Sequence, residues 1–175
     1  MTGLRKSTAA SRGKRRIKIA QIRPTLLSIS IRDVQFGHHV KVVEPANLYG
    51  CKIGDETFVG PFVEIQAGAV IGRRCRIQSH AFVCDKVVIG DDCFVGHGVA
   101  FVNDTFASGG PARGDQSKWK ATLVGDRVSF GSNSTIMPVT IADDVVVGAG
   151  AVVTTDLTVA GVYAGNPARF IRAHR

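Results

Sequence analysis

From Ile53 to Phe101 the chain keeps one interval: Ile53, Val59, Ile65, Ile71, Ile77, Val83, Ile89, Val95 and Phe101 follow each other at six residues. Two places ahead of each stands a second, mostly smaller residue, beginning with Cys51, Thr57, Val63 and Ala69 and ending with Cys93 and Val99. Six residues carry a helix through about 600°, so this spacing would spiral around a helix surface, and a flat strand alternates at two. A chain that walks around a triangular prism, six residues to a face, returns each of these residues to the interior. The pattern therefore predicts an all-β parallel β-helix of about six triangular coils, ~30 Å tall, in which neighbouring coils complete one another's core.

Outside this run the rhythm continues with slips. Val34 and Val40 are read as its first two positions, with an extra residue near Pro45 to Leu48, and it resumes at Val124, Phe130 and Ile136. After a slip at Met137 and Pro138 it goes on with Ile141, Val147, Val153 and Val159. Between Phe101 and Val124 the spacing is 23, so about 17 residues leave the wall as a loop at about 102–121. A loop of this length on a rigid scaffold usually carries function, and Phe106 and Trp119 are its candidate anchors.

Charge changes the picture only at one end. The net charge is +8, but residues 1–32 hold nine basic side chains and no acid, leaving 13 basic against 14 acidic in the rest. We read residues 1–30 as a basic, disordered tail and residues 31–175 as one domain. The near-neutral body argues against a nucleic-acid partner. No stretch is apolar and long enough for a membrane span, and the tail lacks the apolar core of a secretory signal, so a cytoplasmic location is expected. Of the four cysteines, Cys51, Cys75 and Cys93 fall on inward positions, while Cys84 breaks the pattern and is expected outside. With no CxxC pair they read as structural thiols rather than disulfides or zinc ligands.

The hexads, the protruding loop, GAGAVVT at 148–154 and AGNPAR at 164–169 resemble the left-handed β-helix acyltransferases, the hexapeptide-repeat family. NLYGC at 47–51, QSHAFV at 78–83, VGHGV at 95–99 and FVNDTF at 101–106 carry a closer resemblance. It is to N-acetyltransferases of nucleotide-linked aminosugars, of the dTDP-3-amino-3,6-dideoxyhexose or UDP-amino sugar type, in surface polysaccharide biosynthesis. The resemblance implies a left-handed coil, acetyl-CoA as cosubstrate, no metal, and a homotrimer with its sites between subunits.

Such chemistry needs a held amine, a proton acceptor, donors for the thioester oxyanion and a site for the CoA phosphates. His174 is terminal, and His38 and His39 precede the loop by two or more coils. His80 and His97 are 17 residues apart, at corners expected on the same edge of adjacent coils. His80, which closes the QSH motif, is the favoured group to orient or deprotonate the amine, with His97 second. By analogy Asn103 and Asp104, at the root of the loop, reach the acceptor, although an Asx turn starting the loop is the plain structural alternative. Corner amides around Gly131, Gly148 and Ala149 are candidates for the pantetheine and thioester. Thr155, where relatives often carry Lys, and Arg169 with Arg172 are candidates for the CoA phosphates.

Other readings remain. An O-acetyltransferase of the same fold acting on a small hydroxyl acceptor carries a His inside the loop, and here none lies between Val102 and Trp119. A zinc hydratase of the same fold needs three converging histidines, and its HxxxxH pair is missing. A non-catalytic trimeric scaffold would not need the loop or the corner histidines.

Overall fold

In the computed structural model, which describes residues 28–174, short parallel strands build the three walls of a left-handed β-helix, in sheets of seven, six and eight strands. The first wall runs through Glu64–Ile65, Phe82–Val83, Ala100–Phe101 and Thr135–Ile136. The second runs through Lys52–Ile53, Val70–Ile71, Val87–Ile89 and Thr122–Val124. The third runs through Phe58–Val59, Arg76–Ile77, Phe94–Val95 and Ser129–Phe130. The expected basic tail falls, but for its last residues, outside the described residues.

The core follows the hexads. Ile53, Val59, Ile65, Ile71, Ile77, Val83, Ile89, Val95 and Phe101 are all buried, as are the companions Cys51, Thr57, Val63, Ala69, Cys75, Ala81, Val87, Cys93 and Val99. Each strand stacks on its equivalent one coil away, as in Phe58 to Arg76 and Val59 to Ile77. Phe101 and Phe130 meet edge to face at 5.4 Å inside the prism, beside the point where the wall opens.

The ends depart from the expected phase. Phe36 pairs Ile53 and Val42 pairs Val59, so Phe36, Val42 and Leu48 are the inward positions of the first coil, and Val34 and Val40 are their companions. The irregular step is a shortened corner between Leu48 and Ile53, at Gly50, rather than an extra residue near Pro45. At the other end Leu157, 3% exposed, bridges Ile141, whereas Val159 is 59% exposed. Ile31–Arg32 extends the seven-stranded wall at one end and Gly161–Ala164 the eight-stranded wall at the other, for about seven coils. Arg169–Arg172 then folds back antiparallel on Gly161–Ala164 and caps the open end.

The loop leaves between Ala100–Phe101 and Thr122–Val124, where expected. The wall beneath it is unbroken, because Val87, Val88 and Ile89 pair directly with Thr122, Leu123 and Val124. Cys84 is a correction: it is buried, 2% exposed, like the other three cysteines. Its corner lies under the loop, where the Lys86 ammonium donates to the Gln116 and Trp119 carbonyls and the Asn103 amide donates to the Asp85 carbonyl. Burial pushes the Cys84 thiol up to about 12.

Candidate functional site

The three corners of the prism repeat one turn, in which the third residue has positive φ, yet they differ in chemistry. At the corner between the second and third walls, a carboxylate of the next coil accepts the amide of the turn's middle residue. His38 donates to Asp55 at 2.7 Å, Arg73 to Asp91 at 2.8 Å, Asp91 to Asp126 at 2.8 Å and Asp126 to Asp143 at 2.9 Å. Arginines cross-link the same corner: Arg73 to Asp91, Arg74 to Asp92, Arg127 to Asp144. This ladder of carboxylates and guanidiniums is closed on itself.

The corner between the third and first walls is the opposite case. Its middle residues, coil by coil, are Pro61, Ser79, His97, Ser132 and Ala149. The stacking is fixed by bonds from Gly98 to Ser79, Asn133 to His97 and Gly150 to Ser132. No carboxylate stands above them. Among the described residues the amides of Ser79, His97, Ser132 and Ala149 have no acceptor, which leaves a column of donors at ~4.8 Å spacing along one edge. Open corner amides of this kind suit a carbonyl, an oxyanion or a phosphate oxygen.

His80 and His97 both belong to this edge, on adjacent coils, but their settings differ. His80 follows Ser79 at φ +64 and stacks on Phe62, one coil below, with ring centroids 5.0 Å apart. His97 stands above Ser79, and its Nδ1 lies 2.8 Å from the Ser79 hydroxyl. The serine hydroxyl orients the ring, and in the tautomer in which Nδ1–H donates to it, Nε2 keeps a free lone pair.

Gly131, Gly148 and Ala149 also lie on the edge. A side chain at Gly131 would collide with the backbone of Gly148 and Ala149, so that glycine is required by the next coil. Arg169 joins the top of the same edge: the turn before it sits on Val152, with Ala168 donating to the Val152 carbonyl, and Arg169 pairs Ala164. Its partner in that expectation, Arg172, lies further along the cap.

The remaining expected site residues are elsewhere in the chain. Thr155 is exposed at the loop corner, one wall away from Gly148 and Ala149. Asn103 and Asp104 stand at the loop corner too, a full wall from His97. The Asp104 carboxylate accepts from the Phe106 amide at 2.9 Å and the Ala112 amide at 2.7 Å, an Asx turn that ties the loop's neck. The Asn103 carbonyl accepts from the Lys120 amide and closes the same neck. Sequence reasoning missed Ser79 and Ser132; the signal was the absence of Asp at the middle of these corners, against Asp55, Asp91, Asp126 and Asp143 at the other. Among the described residues no three His, Cys, Asp or Glu side chains are grouped to hold a metal ion, and no helix is long and apolar enough to cross a membrane.

Comparison with known proteins agrees with this architecture. Residues 50–85 match the bacterial transferase hexapeptide (six repeats), and residues 86–100 and 122–155 match the hexapeptide repeat of succinyl-transferase. The gap between the two parts of the second match is the ejected loop. The bifunctional protein GlmU of Nostoc sp. is 32% identical over 163 residues, covering 89% of this chain and 34% of that protein. The chain thus spans about a third of the length of the curated relatives it matches.

Among solved structures, a point mutant of AntD, an N-acyltransferase from Bacillus cereus in complex with dTDP and coenzyme A, superposes with a TM-score of 0.71. It is 22% identical, over 83% of this chain and 86% of that one, a likeness of fold. A hexapeptide-repeat-containing acetyltransferase from Vibrio cholerae, complexed with acetyl coenzyme A, has a TM-score of 0.58 at 25% identity, over 71% of this chain and 70% of that one. With its coils matched by both repeat models and its walls stacked as the hexads require, the chain carries the hexapeptide repeat on a left-handed β-helix.

Proposed function

We propose that the protein is an acetyl-CoA-dependent N-acetyltransferase acting on the amine of a nucleotide-linked aminosugar. The observation that carries this reading is the edge on which Ser79 holds His97 beside a column of free amides, with Arg169 at its far end. AntD, with dTDP and coenzyme A, and the Vibrio acetyltransferase, with acetyl coenzyme A, support the donor and the acceptor class.

In this mechanism acetyl-CoA lies along the edge, with its phosphates toward Arg169 and its thioester carbonyl on the amide of Ser132 or Ala149. The acceptor amine attacks the thioester carbon while Nε2 of His97 takes the amine proton, and the edge amide stabilises the oxyanion. Collapse breaks the C–S bond, and the thiolate recovers the proton from His97. His80, packed on Phe62, shapes the acceptor pocket; this assigns the proton to the second of the two expected histidines. Asn103 and Asp104 are a wall away within one chain. In a homotrimer the loop of one subunit meets the histidine edge of the next, and Asp104 holds that loop in shape rather than touching the amine.

The test is thiol release from acetyl-CoA with a panel of dTDP- and UDP-linked aminosugars. Turnover with at least one is the expected result. Silence across the panel, together with no CoA binding by calorimetry, overturns the enzyme reading.

A further inference from the structure

A groove of about 510 Å³ lies away from the histidine edge. It lies on the outer face of the third wall and is lined by His39, Lys41, Glu56, Thr57, Phe58 and Arg76. Its volume falls in the range of small-ligand and cofactor sites, roughly 300–1,000 Å³. Lys41, Phe58 and Arg76 stand one above another on successive coils, because Lys41 pairs Phe58 and Phe58 pairs Arg76. The Arg76 guanidinium lies 5.0 Å over the Phe58 ring, which fixes its plane.

Charge pairing separates this groove from the rest of the wall. The arginines of the neighbouring corner, Arg73, Arg74 and Arg127, are all taken by aspartates. Lys41 and Arg76 make no ion pair among the described residues, and Glu56 is the only acid in the lining. Two unpaired cations beside an aromatic ring form a surface for an anionic, partly planar ligand.

Position gives the groove its meaning. Arg76 precedes Ser79 by three residues and His80 by four on the wall that ends at the histidine edge, a reach of at most ~14 Å along the chain. That span fits a sugar joined through a diphosphate to a base.

We infer that this groove binds the nucleoside diphosphate of the acceptor, with Lys41 and Arg76 on the phosphates and Phe58 and His39 against the base. The inference rests on the nucleotide-linked acceptor proposed above, and assigns that acceptor's carrier to a site that the histidine edge does not contain.

The test is calorimetry with dTDP, UDP and pyrophosphate on the full chain and on Lys41→Ala, Arg76→Ala, Arg76→Lys and Phe58→Leu, with CoA binding measured in parallel. These positions face outward, and unchanged CoA affinity reports an intact solenoid. Loss of a charged contact should weaken dTDP or UDP binding roughly 10- to 100-fold in each alanine variant, with partial recovery in Arg76→Lys. Phe58→Leu should weaken the nucleotides but not pyrophosphate. Wild-type nucleotide affinity in the Lys41 and Arg76 variants overturns the groove assignment while leaving the nucleotide-linked acceptor standing. Failure of the wild type to bind either nucleotide, with acetyl transfer to a free aminosugar, overturns the acceptor reading and the groove with it.

Discussion

The Ser79 hydroxyl lies 2.8 Å from Nδ1 of His97, one coil above it. A serine can accept Nδ1–H and so favour the tautomer with a free Nε2, whereas an unassisted imidazole prefers the proton on Nε2. Ser79→Ala should therefore convert His97 to the Nε2–H form, read from nitrogen shifts in a long-range NMR correlation. Turnover should fall roughly 3- to 10-fold with little change in KM for acetyl-CoA, and Ser79→Thr should recover both. An unchanged tautomer in Ser79→Ala would show that the hydroxyl is a bystander.

The two histidines can be separated by the same geometry. Asn133 occupies the His80 place in a later coil, also at positive φ, so His80→Asn fits the turn without strain. His80→Asn should keep most turnover and raise KM for the acceptor. His97→Asn should lose turnover by about 10²- to 10⁴-fold, the range of a general base. Initial rates at saturating and limiting acceptor distinguish the two, and the reverse ranking would return the proton to His80.

The open amides can be removed one at a time. Pro61 already sits at the middle of this turn, preceded by Gly60, as Ala149 is preceded by Gly148. Ala149→Pro and Ser132→Pro should thus preserve the coil and its melting temperature, since proline suits that turn position. Whichever amide meets the oxyanion should cost about 10²- to 10³-fold in kcat when lost. Full activity in both proline variants would exclude the edge amides from the chemistry.

Asp104 ties the loop through the Phe106 and Ala112 amides. Asp104→Ala releases both. We expect faster proteolytic nicking between 105 and 118 and a raised KM for the acceptor, with CoA affinity and the core unchanged. Limited proteolysis followed by mass spectrometry locates the cuts, and cutting at the wild-type rate would show that the neck is held without this carboxylate.

Acid should loosen the carboxylate ladder. Arg73 hydrogen-bonded to Asp91 holds that carboxyl below the usual range, as Arg74 does for Asp92 and Arg127 for Asp144. A carboxyl depressed in the folded state stabilises it fully above the unfolded value, about 3.9, and this contribution is lost as pH falls from there through the folded value. Urea midpoints should be flat near neutrality and decline below about pH 4. The pairs are exposed, so added salt should shrink the decline. An Asp91→Asn midpoint with the same acid dependence as wild type would remove this corner as its cause.

The middle of the solenoid was legible because each coil there has a neighbour above and below, so every inward position must be apolar or small. At the ends that constraint lapses. Phe36 is inward in register yet 43% exposed, which let Val34 and Val40 pass for the repeat, and Val159 looked inward beside the true Leu157. Cys84 was misplaced because its cover comes from the loop, through Lys86 and Asn103, and not from its own hexad. His80 and His97 could be set on one edge by counting, but the Ser79 bond that distinguishes them depends on side-chain direction. Lys41, Phe58 and Arg76 are 17 and 18 residues apart, a periodicity that speaks of stacking and is silent on which cations lack partners.

The direct pairing of Val87–Ile89 with Thr122–Val124 beneath the loop has a consequence for how such a chain can vary. The two strands that flank the excursion are held by their neighbours in the wall, so excising or lengthening residues 103–120 leaves the ladder hydrogen bonds between coils in place and removes only side-chain ties such as those of Lys86 and Asn103. The excursion is thus a cassette that can change in length and sequence while the walls, and the edge carrying Ser79 and His97, keep their register.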